Sequence, residues 1–341
     1  MKYIGVVVAV ILCLAIHNVV AIDSVNYEYE SDSEKIKDLS LNYPAKAIEL
    51  YKQNATQYLL RSNEDTMSAY TSALIAASNA QNIDLIEEII GLIADDRLAP
   101  FRESYLFTVI NVIGVSYTMN MQYEQAIKTH KCALNYTNSH MEKMISKVNL
   151  AITYRMYNQP ALSYQILQTV DEAILNGRRA AGVLVEKGNT AMVLGEFDAA
   201  IRAYKAARVQ YINGGHHRNA MRVVVHLLGA ALLDERYELF TASRKKLDPQ
   251  SSNYLTENEL IYLKWLDLIY PSIQDNQISE MVVTYTSDNF ALFVEAGFQA
   301  PVESLLKKMK AQHIVSDDPS AANVVMKIND KLAHGWCDGD K

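Results

Sequence analysis

Residues 181–207 read AGVLVEKGNTAMVLGEFDAAIRAYKAA, and the fold is decided there. Small residues fall at Gly188, Ala200 and Ala207, aromatics at Phe197 and Tyr204, and the turn-forming Gly195 stands midway. That spacing predicts two short helices folded back on each other. The small residues lie where the helix axes come closest, and the aromatics fill the space beside them.

The pattern returns along the chain. Ile113-Gly114, Tyr117, Tyr123, Ala126 and Ala133 carry it, then Leu150-Ala151, Tyr154 and Ser163. Gly114, Ala151 and Gly188 follow one another at intervals of 37, and Leu228-Gly229 comes 41 after Gly188, with Tyr237 displaced by one residue. Asn120, Asn158 and Gly195 fall at the inter-helix turns, where a residue tolerating positive φ is useful. Units are predicted at 107–140, 144–180, 181–214 and 222–250.

This arrangement resembles the tetratricopeptide repeat (TPR). With Gly188 at repeat position 8, Phe197, Ala200, Tyr204 and Ala207 take the family's positions 17, 20, 24 and 27 without a gap. The resemblance implies an all-α, right-handed solenoid of antiparallel helical hairpins. Divergent helices over 43–100 and a helical cap over 251–335 would close the stack, leaving a tail at 336–341.

Composition agrees with a helical chain. Half of the 341 residues are hydrophobic, with 13 Gly and 7 Pro, which is ample for a large core and too little punctuation for an all-β fold. The 32 basic and 39 acidic residues give −7, without a basic stripe interleaved with aromatics, so no nucleic-acid partner is expected. Residues 1–21 carry one charge, Lys2, then an apolar run over 4–16 and Val19-Val20-Ala21. This predicts a cleavable secretory signal peptide cut after Ala21, and export to the periplasm or beyond. The alternative is an uncleaved membrane anchor, since 4–21 just reaches across a bilayer; His17 and Asn18 count against it. Removing Lys2 leaves 31 − 39 = −8. Residues 22–42 read as a flexible polar arm. Export permits a disulfide between Cys132 and Cys337, although a helical protein of this size does not require one.

Local signals place further helices. Pro44 suits a first turn, Asn63 an N-cap for a helix over 64–80, and another helix follows over 83–93. Residues 255–269 and 301–310 read as helices, 278–297 is ambiguous between strand and helix, and Asp318-Pro319 opens a helix that stops at Gly335.

Catalytic constellations are not evident. There is no GxSxG, phosphate-binding Gly loop, CxxC or HExxH, so no catalytic residue, cofactor or metal is expected. Asp95-Asp96 and Asp317-Asp318 flank helices and read as caps. His216-His217, in a Gly-rich turn, reads as solvent-exposed rather than metal-binding.

The family resemblance implies a binding surface instead, a concave face lined by the first helix of each unit. Its lining positions transfer to Thr108, Asn111, Val115 and Thr118, then Ile145, Val148, Ile152 and Arg155 with Asn149 beside them. Val185, Asn189 and Met192 follow, then His226, Ala230 and Leu233. Of these, Val148, Val185 and Leu233 read as packing. The candidate partner-binding groove is Asn111, Asn149, Arg155, Asn189 and His226, with amides for a peptide backbone and Arg155 for an acidic group or chain terminus. The family's carboxylate clamp needs basic residues where this chain has Gly182 and Glu186, and only Asn149 matches it. The expected function is a non-enzymatic, exported scaffold binding protein or peptide. The alternative is a periplasmic ligand-sensing module that signals through a partner membrane protein.

Overall fold

The computed structural model describes residues 31–247, 251–315, 328–329 and 331–338, and everything described is helix, turn or loop. The predicted signal segment and the opening of the predicted helix at Asp318-Pro319 lie outside the described residues. No described helix is long and apolar enough to cross a membrane.

The chain divides into two compact units at 157/158, inside the span predicted as one repeat array, and the described residues 328–329 and 331–338 group with the first unit rather than with the helices predicted as a C-terminal cap. In the first unit come α1 (Asp32–Leu39), α2 (Pro44–Leu59), α3 (Glu64–Asn79), α4 (Ile83–Ile93), the short α5 (Ala99–Arg102), α6 (Leu106–Met119), α7 (Tyr123–Ala133) and α8 (His140–Met156). Predicted starts hold where a cap fixes them. Pro44 opens α2, and the Asn63 side chain accepts the Thr66 N–H at 2.9 Å at the start of α3. The flexible arm is corrected over 32–39. There Ser31 caps a helix that seats Ile36 in the core with Leu39 partly buried beside it, an apolar face too short to show as periodicity.

The second unit holds α9 (Pro160–Gln168), α10 (Gly177–Val193), α11 (Phe197–Asn213), α12 (His217–Leu233), α13 (Tyr237–Arg244), α14 (Glu257–Gln274), α15 (Glu280–Glu295) and α16 (Gln299–Lys308). The last described helix, α17 (His334–Cys337), returns to the first unit. The ambiguous 278–297 is α15. Val282 and Thr286 face inward, where Thr286 donates to the Val282 carbonyl and accepts from Trp265 Nε1 at 2.8 Å.

The small-against-large register is real in both units. A Cβ on Gly188 would lie 2.4 Å from the Tyr204 ring, and one on Gly114 2.6 Å from the His130 ring, each sixteen residues on in the next helix. Gly229 breaks the pattern, because α13 ends at Arg244. Tyr262 of α14 takes the place, with its hydroxyl 2.5 Å from where a Cβ would stand and its ring stacked on Phe298 at 4.0 Å.

One turn chemistry joins successive helices. Gln122 N–H bonds the Tyr117 carbonyl at 2.9 Å, Glu196 that of Ala191 at 2.8 Å and Arg236 that of Ala231 at 2.9 Å, each closing the helix behind a left-handed residue. Gly195 and Asn158 take that conformation as predicted, but at the third turn Met121 (φ 56) does, not Asn120, whose side chain instead donates to the Ser116 carbonyl. Met121 is exposed, so little packing is at stake. Met121→Gly is expected to raise stability by about 0.5–1 kcal/mol in urea denaturation, because relief of left-handed strain outweighs glycine's extra chain entropy. A lower midpoint would show that the turn is not strained.

Candidate functional site

The best-built recognition geometry lies in the first unit and uses residues far apart in sequence. Gln122 is the N-cap of α7, placed immediately after left-handed Met121. Its carboxamide makes both bonds to one residue's main chain: Nε2 donates to the Ile328 carbonyl at 3.0 Å, and Oε1 accepts the Ile328 N–H at 2.8 Å. On the next residue, Glu87 of α4 accepts the Asn329 N–H at 2.8 Å, and the Tyr117 hydroxyl of α6 donates to the Asn329 carbonyl at 2.7 Å. Four consecutive main-chain groups are thus satisfied by three side chains. Ile328 itself is buried in the unit's core.

The grip continues along the segment. Ala333 is buried in the same core, and the Tyr136 hydroxyl donates to the Trp336 carbonyl. A disulfide joins Cys132 of α7 to Cys337 of α17, with Cα atoms 5.6 Å apart. A buried residue's main-chain polar groups must find partners, and here side chains supply them without reference to the identity of the residue bound. Specificity then falls to the site under Ile328.

The groove residues named from the family resemblance fare differently. Asn111 and Asn149 are brought together, but inside the helix stack. Asn149 Nδ2 donates to Asn111 Oδ1 at 3.1 Å, and Asn149 is 2 % exposed. This corrects their reading as an open surface, since tight packing of α6 against α8 leaves no room for a partner. Thr118 and Thr153 pair in the same way at 2.8 Å. Arg155 is half-buried at the end of α8, near Tyr123, whose pKa burial raises and Arg155 partly pulls back. Asn189, also half-buried, donates to Glu186 at 2.9 Å and accepts from the Tyr204 hydroxyl at 2.9 Å. His226 lies between two rings, its centroid 5.6 Å from that of Tyr204 and 5.1 Å from that of Phe298. Both side chains help set the α10–α11–α12 packing. Asp95 acts as the predicted cap, its carboxylate held low, to about 2, by hydrogen bonds from Arg97.

Sequence reasoning missed Glu87, Tyr117, Gln122 and Tyr136 as binders. Tyr117 stood out only as a packing position, and Gln122 lies 206 residues from the main chain that it holds. Among the described residues, no group of three or more His, Cys, Asp or Glu could hold a metal ion. Comparison with protein-family profiles, with curated proteins and with solved structures gives no match to this chain.

Proposed function

We propose that this protein is a non-enzymatic, exported helical-hairpin scaffold of the tetratricopeptide type that binds a protein partner through a short peptide segment. The binding place is the Glu87–Tyr117–Gln122 site of the first unit, where the main chain of Ile328 and Asn329 is held. The supporting observation is the satisfaction of all four main-chain polar groups of Ile328 and Asn329 by side chains, with the Ile328 side chain buried below. That is how a protein recognises backbone with one apolar anchor. The small-against-large register in α6–α7 and α10–α11 supports the repeat type. The Cys132–Cys337 bond supports export, because structural disulfides persist in oxidising compartments.

The test is binding in trans. A chain ending at residue 315 and carrying Cys132→Ser is mixed with a labelled peptide of residues 324–338. Saturable binding is expected, weakened about tenfold or more by Gln122→Ala, which removes two hydrogen bonds to the peptide main chain. Helix content serves as the folding control. A folded protein that ignores the peptide, or holds it equally well without the Gln122 carboxamide, rules the reading out.

A further inference from the structure

Two Asn-x-Thr triplets occur in the chain, Asn54-Ala55-Thr56 and Asn135-Tyr136-Thr137. In a secreted protein such a triplet is the acceptor for an N-linked oligosaccharide, and the sugar, being bulky, needs a surface position. The structure gives the two asparagines opposite surroundings.

Asn54 lies inside α2, half-buried, with its side-chain amide donating to the Leu50 carbonyl one turn back at 3.0 Å. It stands three residues after Tyr51 and four before Tyr58, the spacings that share a helix face. Both tyrosines are buried, stacked on each other with centroids 6.3 Å apart, and each meets the Tyr70 ring of α3 edge-on. A sugar on Asn54 would crowd the face by which α2 packs on α3.

Asn135 sits on a connection. After α7, a three-residue 3-10 turn covers Leu134–Tyr136, and Thr137 is extended (φ −74°, ψ 125°) before Ser139 caps α8. Asn135 is exposed there, while its neighbours are anchored. Cys132 is bonded to Cys337, the Tyr136 hydroxyl donates to the Trp336 carbonyl, and the Thr137 hydroxyl donates to the Leu134 carbonyl at 3.0 Å. The triplet is thus held through Tyr136 and Thr137 and leaves its asparagine in solvent.

The long-range anchors do not close over the acceptor while the chain is being made. Trp336 and Cys337 lie 200 and 205 residues beyond their partners. At ~5–20 residues per second of synthesis, they emerge roughly 10–40 s after Asn135. The acceptor is open when it enters a secretory compartment and still exposed once the chain has folded.

We propose that Asn135 carries an N-linked oligosaccharide in the exported protein and that Asn54 does not. In the transfer, Asn135 Nδ2 bonds to the anomeric carbon of an oligosaccharide carried on a lipid diphosphate. The sugar–phosphate bond breaks with its electron pair leaving on the diphosphate, and the amide loses one proton. The modification rests on the export reading above, because the transfer belongs to the secretory route, and it is independent of the peptide site.

The test expresses the full chain, residues 1–341, in cultured animal cells and recovers it from medium and lysate. Digestion of the secreted protein with peptide-N-glycosidase is expected to give a single increase in gel mobility. Peptide mapping should show residue 135 converted to aspartate and Asn54 intact. Asn135→Gln and Thr137→Ala should abolish the mobility step. Thr137→Ser, which keeps the hydroxyl, should retain it, and Asn54→Gln should leave it unchanged. Where a variant fails to reach the medium, mapping of the wild-type protein decides alone. Secreted chain with a bare Asn135, or with sugar on Asn54, overturns the assignment and leaves export standing. Chain confined to the cytosol overturns the export reading, and the glycan with it.

Discussion

Cys337→Ser, or reduction of the native protein, lowers the stability of the first unit by about 2–4 kcal/mol in urea denaturation. The bond joins residues 205 apart, and crosslinking so long a loop removes much freedom from the unfolded chain. The full chain-entropy value for such a loop is nearer ~5 kcal/mol. The smaller figure is the typical contribution of a disulfide, which falls short of the chain-entropy value. Loss of the bond leaves the described residues of this segment, 328–329 and 331–338, to be held by non-covalent contacts, among them hydrogen bonds, burial of Ile328 and Ala333 and partial burial of Leu332 and Trp336. Trp336, half-buried in this segment, supplies a fluorescence signal for its release. Reductant should shift the wild-type midpoint and leave that of Cys337→Ser unchanged. Equal midpoints for wild type and variant in oxidising buffer would mean that the bond contributes nothing beyond those contacts.

What the sequence made legible was local. Pro44, Asn63 and Gly195 act on their immediate neighbours, and the structure uses them as read. The pairing of Gly188 with Tyr204 spans one hairpin, and periodicity finds it. The helix α15 was ambiguous because the stiff side chains that favour strands also suit a fully packed helix when Thr286 can satisfy its hydroxyl on the preceding turn. Asn111 and Asn149 were read as a surface because their repeat positions line a groove in the family. Periodicity gives the face of a helix but not how closely the next helix covers it. The Glu87–Tyr117–Gln122 site was not legible. It consists of main-chain contacts at a sequence distance of about two hundred residues, and no side-chain pattern records which backbone a glutamine will hold.

His130 stands where the hairpin pattern places a large apolar side chain; 37 residues further on Leu167 fills the corresponding place. The imidazole lies on Gly114 with no exposure, and neither ring nitrogen has a hydrogen-bond partner. The neighbouring Ser146 hydroxyl donates to the His130 carbonyl at 3.0 Å, so it does not satisfy the ring. Burial lowers the His130 pKa to about 3 from an ordinary 6.5. Between those values the unfolded chain takes up a proton that the folded chain refuses, so stability rises with pH across that window. The penalty is absent above pH 6.5, grows as pH falls by about 1.4 kcal/mol per unit, and levels off near pH 3. The total is on the order of 3–5 kcal/mol, enough to unfold a marginal unit. His130→Leu keeps apolar bulk on Gly114 and removes the base. It is expected to match or exceed the wild type at pH 7.5, since two unsatisfied nitrogens are gone, and to hold that stability when the wild type fails in acid. Urea denaturation of both proteins at pH 7.5, 5.5 and 4.5 reads the difference directly, because carboxylates such as Asp95 titrate alike in the two. Parallel losses in both would show that His130 does not govern the acid response.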